Sequence, residues 1–324
     1  MSGSWSLGEV ALIRDAATLA IYNSFNSKVP QPSEPQLVAN LVWQLPLCIN
    51  KLPSRIGIKA GGVFVHQRPY VTFLTPSPAT VEIGDLLLIR TLVINGKIEE
   101  QRALLLQAKK TKHMPATPDN ANQWFLYEQW PSFTYSPKYK GLAGKTRHIR
   151  EPDMYDAAKY LLIGSNPALS QWVKTACGCF FHCDCYGPAV LSHHTAQPTK
   201  PNISRYKRFA DELVQFLMGN AGKVYEPPTT NTTGWNQVID DLITDTATAS
   251  TVFMGRASSQ LVKSSRGCLS FMTPGNSSIF FTIVKDVVVN ENPSAPPEVP
   301  AEWSLDGEGG GISIVEVVVE QGDD

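Results

Sequence analysis

Residues 84–113, GDLLLIRTLVINGKIEEQRALLLQAKKTKH, hold two apolar runs joined by Asn95-Gly96, and no other stretch so narrows what the chain can fold into. Asn-Gly between such runs is a strong local signal for a β-hairpin, because both turn residues tolerate left-handed backbone. The polar groups of this hairpin gather at one end. Asp85 opens the first run, and Gln107, Lys109 and Lys110 close the second. Register decides whether they meet. A two-residue turn pairs 94 with 97 and 85 with 106, which sends Gln107 and Lys109 to the face opposite Asp85. A three-residue loop with Gly96 in a bulge position pairs 93 with 97 and 85 with 105, which puts Asp85, Gln107 and Lys109 on one face. The bulged loop is the expectation.

That face would carry a recognisable chemistry. Asp85 offers a hard anionic oxygen and the Gln107 amide a neutral one, both suited to Mg²⁺ or Mn²⁺. Lys109 can orient a water or neutralise charge on a phosphate. Upstream, QPSEPQLVANLVWQL predicts a helix with Ser33 as N-cap, Pro35 in the first turn and an apolar stripe of Leu37, Val38, Leu41 and Val42. Glu34 then stands at the helix start, where it would add a second carboxylate directly or through water. The chemistry is metal-assisted hydrolysis of a phosphodiester.

The segments GDLLLI and ALLLQAK resemble the core of the PD-(D/E)xK, or restriction-endonuclease-like, nucleases, in the variant with Gln-x-Lys. The resemblance spans roughly residues 30–165. It implies Asp85 as the metal-binding aspartate, Gln107 as the variant ligand, Lys109 as the catalytic lysine and Glu34 as the glutamate of the first core helix. A helix predicted over 121–133 would follow the lysine strand. The implied fold is α/β, a restriction-endonuclease-like mixed sheet flanked by helices, with an additional α+β C-terminal part. The implied activity is Mg²⁺-dependent cleavage of DNA, in restriction or defence against foreign DNA. The alternative is an inactive nuclease-fold protein that binds DNA or another protein. Replacing the commoner acidic ligand with Gln107 removes one negative charge from the cation site.

The net charge of −1 means that any DNA-binding surface must be local. Basic residues cluster after the lysine strand, and Lys110, Lys112, Lys138, Lys140, Lys145, Arg147 and Arg150 are the candidate phosphate contacts. A second group is Lys200, Arg205, Lys207 and Arg208, with Tyr135, Tyr139 and Tyr206 as candidate stacking partners. The sequence YKGLAGKT lacks the first glycine and the preceding buried strand of a phosphate-binding loop, so translocation or unwinding would need a separate ATPase or helicase subunit. A homo-oligomer is compatible with the sequence. No apolar window approaches the roughly 18 residues of a membrane span, and the N-terminus does not read as a signal peptide, so the expectation is a cytoplasmic protein without membrane contact.

The 324 residues divide on sequence into a nuclease core with N-terminal helices (1–225), an α+β extension packed on it (226–290), and a Pro-rich linker with a C-terminal strand (291–324). Helices are expected over 8–24, 204–222 and 234–247. Strands are expected over 61–74 (interrupted at Pro69), 158–164, 277–289 and 311–320. Cys177, Cys179, Cys183 and Cys185 do not have the spacing of a structural zinc site and read as small core side chains. His193-His194 reads as a polar loop, and His66 as a strand residue.

Overall fold

The computed structural model describes residues 5–25, 32–65, 69–74, 78–113, 116–117, 119–137, 141–150, 154–165, 192–199, 202–226, 234–254, 268–271 and 311–321. The apolar runs of the hairpin become β4 (Leu86–Ile94) and β5 (Lys97–Thr111). Asn95 (φ 51°) and Gly96 (φ 74°) are both left-handed and Ile94 pairs with Lys97, so the turn has two residues and not the expected three. The bulge lies deeper in the hairpin. Val93 pairs with Ile98 but Leu92 with Glu100, which leaves Glu99 as the extra residue on β5. Beyond this slip Leu86 pairs with Leu106, and Asp85 falls beside Gln107 instead of Leu105. Side chains alternate with period two, so a two-residue difference in register restores the face. Asp85, Gln107 and Lys109 share it after all.

Among the described residues a nine-stranded mixed sheet forms around this hairpin. Its other strands are β1 (Ile58–Val65), β8 (Ala158–Gly164), β9 (His193–Thr199), β10 (Asn202–Arg208), β11 (Lys223–Val224), β12 (Cys268–Phe271) and β13 (Ser313–Gln321). The order is β10-β9-β8-β5-β4-β13-β1-β12, with β11 on β5. The β5–β8 and β4–β13 pairs are parallel. Between β5 and β8 the chain runs through α3 (Ala121–Gln129), as a parallel connection requires. Strand β13 is not a tethered appendage: it lies between β4 and β1, with both edges paired. Its nearly continuous apolar run, SIVEVVVE, suits burial on both faces. Glu316 within it accepts a hydrogen bond from Thr91 Oγ1 at 2.8 Å.

One face of the sheet, lined by Leu86, Leu88, Leu104 and Leu106, packs against α1 (Leu7–Phe25), α2 (Glu34–Ile49) and α4 (Phe209–Leu217). The α2 N-terminus forms as its sequence predicts, with Ser33 Oγ accepting from the Gln36 amide. Helix α2 lies so close to β1 that a Cβ at Gly62 would meet the Val42 carbonyl at 2.8 Å. The opposite face, with Leu87, Ile89, Ala103 and Leu105, is covered by α3, α5 (Trp235–Met254) and a small second sheet. That sheet has the order β3-β2-β6-β7, from β2 (Tyr70–Leu74), β3 (Pro78–Glu82), β6 (Phe133–Tyr135) and β7 (Thr146–Arg147).

Two expectations are corrected. The segment 204–222 is not one helix: residues up to Arg208 pair with β9, and α4 starts only at Phe209. His193 and His194 lie in buried β9 and not in a loop, because that strand completes the sheet beside β8. The cysteine group, His66, the strand expected over 277–289 and the Pro-rich linker fall outside the described residues. Among the described residues no helix is long and apolar enough to cross a membrane. Because β13 fills the gap between β4 and β1, a chain lacking residues 311–324 is expected to lose its cooperative thermal transition. Circular dichroism melting checks this; a truncated chain that melts like the full one would contradict the central position of β13.

Candidate functional site

At the end of β5 the backbone brings three elements together. The first turn of α2 supplies Glu34, whose Oε1 accepts from the Lys110 backbone N–H at 2.8 Å. Lys110 Nζ donates to the Pro32 carbonyl at 2.8 Å, which ties the entry to α2 against the strand end. Lys109 points to the other face, with its ammonium 3.9 Å from Glu34 Oε2 and 3.6 Å from Asp119 Oδ2. Asp85, Gln107, Lys109 and Glu34 are therefore gathered as the sequence suggests.

The details differ from a ready metal cage. Asp85 Oδ2 accepts from the Ala108 backbone N–H at 2.8 Å and from the Gln107 side-chain amide. Gln107 is almost fully buried, and its oxygen accepts from Gln123 Nε2 in the first turn of α3. Gln123 Nε2 also donates to the Glu82 carbonyl at 3.2 Å. The amide oxygen expected to face a cation thus faces Gln123, and the nitrogen faces Asp85. Among the described residues, no three His, Cys, Asp or Glu side chains converge as a metal-binding group.

The Asp85 carboxyl is perturbed by its surroundings. Burial pushes the Asp85 carboxyl well above the usual carboxylate range, and the neighbouring Glu82 and, less strongly, Glu34 push it the same way. The Ala108 N–H and Lys109 oppose the shift without cancelling it. A nearby Tyr127 hydroxyl donates to the Ile83 carbonyl at 2.9 Å, and burial together with Asp85 raises its pKa. A cation bound there would favour the ionised form of Asp85.

Sequence reasoning missed Glu82, Asp119, Gln123 and Tyr127. The Gln123–Tyr127 pair had a legible signal: an amide and a phenol spaced i, i+4 on one face of a short helix, beside buried Leu126. The Asn120 side chain caps that helix by accepting from the Asn122 and Gln123 amides.

The basic residues have different fates. Lys110, Lys112, Lys145 and Arg150 are exposed, while Lys138 and Lys140 lie outside the described residues. Arg147 is engaged within the protein, with Nε 2.6 Å and Nη2 2.9 Å from the carboxylate of buried Asp241. Tyr135 is fully buried, and Tyr206 accepts from the Ala116 N–H and donates to the Ile203 carbonyl, so neither presents a stacking face like that of an open loop. In the second basic group, Lys207 is paired with Glu212 and Arg208 with Asp211.

Compared with known proteins, the chain matches no family model, no curated protein and no solved structure.

The raised pKa of Asp85 has a consequence with a definite sign. The folded state holds the Asp85 proton to higher pH than the unfolded chain, so stability falls as pH rises from the unfolded value towards the folded one. Asp85→Asn is expected to remove this loss and to melt above the parent chain at pH 8, with little difference near pH 4. Parallel melting curves across that range check it; identical pH profiles would contradict the desolvated carboxylate.

Proposed function

We propose that the protein is a metal-dependent nuclease that hydrolyses DNA phosphodiester bonds at the Asp85–Lys109 end of the hairpin. One observation carries this reading: Asp85, Gln107 and Lys109 share a face at adjacent strand ends, and Glu34 is hydrogen-bonded to the next residue of the same strand. A helix bearing the glutamate, a strand opened by the aspartate, a strand ending in Gln-x-Lys and a following helix occur in the order that the nuclease resemblance implies. The role in restriction or defence rests on that resemblance, and fold alone does not determine it.

Asp85 offers a divalent cation a carboxylate oxygen at the strand end, and a bound cation would offset the burial and the Glu82 field that hold its proton. Gln107 would join it with its amide turned over, and Glu34 would contribute through water. When bound, Mg²⁺ or Mn²⁺ supplies Lewis-acid activation of the scissile phosphate. The chain's own part is positional. Lys109, held between Glu34 and Asp119, keeps an ammonium at the mouth of the site to offset charge developing on the phosphate. Exposed Lys112, three residues beyond Lys109, and exposed Lys145, beside Asp240 and Asp245, offer backbone-phosphate contacts. Any ATPase or helicase activity would come from another subunit.

A second reading, a nuclease-fold protein without catalysis that binds DNA or a protein, is favoured by the Gln107 nitrogen facing Asp85. A plasmid-nicking assay with Mg²⁺ or Mn²⁺ separates the two. Cleavage is expected from the parent chain, with Asp85→Ala and Lys109→Ala each slower by about 10²-fold or more while still folded by circular dichroism. No nicking by the parent, or undiminished rates in the variants, would refute the nuclease. For DNA binding, Lys112→Ala with Lys145→Ala is expected to make the slope of log affinity against log salt shallower by roughly 1–2. A filter-binding salt titration checks this, and an unchanged slope places the DNA elsewhere.

A further inference from the structure

We propose that Gln123 is a positioning residue that determines which atom of the Gln107 amide faces Asp85; the proposal rests on the cation-site reading above. A backbone carbonyl can only accept hydrogen bonds. The Glu82 carbonyl therefore fixes the nitrogen end of the Gln123 side chain towards itself. The same nitrogen has a second proton, which it gives to Gln107 Oε1. That leaves the Gln107 nitrogen to face Asp85. A backbone group on the small-sheet side thus sets the polarity of a three-residue chain ending at the candidate catalytic carboxylate.

Both glutamines are buried, at 1% and 4% exposure, so water cannot readily substitute for a lost partner. Turning the Gln107 amide over would set its NH₂ against the NH₂ of Gln123. Turning Gln123 as well would set its oxygen against the Glu82 carbonyl. The mismatch can be moved along the chain but not removed, and a cation shared by Asp85 and Gln107 must outweigh it. Gln123 therefore opposes ligation by Gln107 and lowers cation affinity. Its own place is fixed by the Asn120 cap, which accepts from the Gln123 backbone N–H at 3.1 Å.

Gln123→Met keeps the length of the side chain and removes its polarity. The Gln107 amide then lacks a partner on the α3 side in either orientation, and only Asp85 and the cation choose between them. Mn²⁺ binding to the full chain, followed by electron paramagnetic resonance of the free ion, reads the effect. Binding is expected to depend on Asp85, being lost in Asp85→Asn, and to tighten about tenfold in Gln123→Met. In a Gln107→Glu background the same substitution should bring no tightening, because a carboxylate presents oxygen to both neighbours. Thermal melting verifies that each variant is folded, and Gln123→Leu replaces Gln123→Met if the latter melts low.

Unchanged or weaker Mn²⁺ binding in Gln123→Met, beside Asp85-dependent binding in the parent, would overturn the positioning role and leave the cation site standing. Equal tightening in the Gln107→Glu background would also overturn it, since Gln123 would then act without Gln107. Absence of Asp85-dependent Mn²⁺ binding in both the parent and Gln123→Met would refute the cation site itself, and the positioning role with it.

Discussion

The extra residue at Glu99 determines the layout of the candidate site more than any side chain within it. With a two-residue Asn-Gly turn and no bulge, Asp85 would lie opposite Leu106, and Gln107 and Lys109 would point into the helix-covered face. The bulge moves the partner by one position and turns the polar end of β5 towards α3 and the small sheet. Glu34, Asp119 and Gln123 all contact that end from outside the hairpin. Their arrangement has meaning only in the bulged register.

Several charges away from the site are closely paired, although Asp240 and Asp245, beside Asp241 on α5, also have raised pKa values. Arg90 and Arg102 lie directly opposite one another on β4 and β5, an unfavourable pair taken alone. Glu100 bonds to both, and Arg90 Nε also donates to the Leu217 carbonyl at the end of α4. Lys159 in the buried face pairs with Glu212, and Arg147 with Asp241. These charges are matched. Around Asp85, burial first and the carboxylates of Glu82 and Glu34 after it raise the pKa, and Lys109 opposes them. A perturbed carboxyl of this kind occurs both at functional sites and in structural charge clusters, so geometry and not the shift singles out the strand end.

What the sequence made legible was local. The Ser33 cap, the stop of α3 before Pro131 and the strand Ala158–Gly164 follow from signals within a few residues, and each formed where it was expected. The shared face of Asp85, Gln107 and Lys109 was legible too, though through the wrong bulge, because a turn residue is visible in sequence and a strand bulge at Glu99 is not. The boundary at Arg208 was missed because pairing with β9 overrides the helical pattern of SRYKRF. Burial of His193-His194, the Arg147–Asp241 pair and the contact from Gln123 to Gln107 depend on partners elsewhere in the chain, and no local pattern announces them.

The place of β13 also dictates an order of events. Thr91 and Glu316, neighbours across the sheet, are 225 positions apart in the chain. Until the later segment has been synthesised, β4 and β1 each carry an open edge in the middle of the future core. Nascent chains emerging from the ribosome would hold an incomplete sheet for much of their synthesis, a condition that exposes strand edges to wrong pairing. Closure by so distant a segment favours slow folding. The candidate site stands on the hairpin beside that gap, so it would become rigid only when the last gap in the sheet is filled.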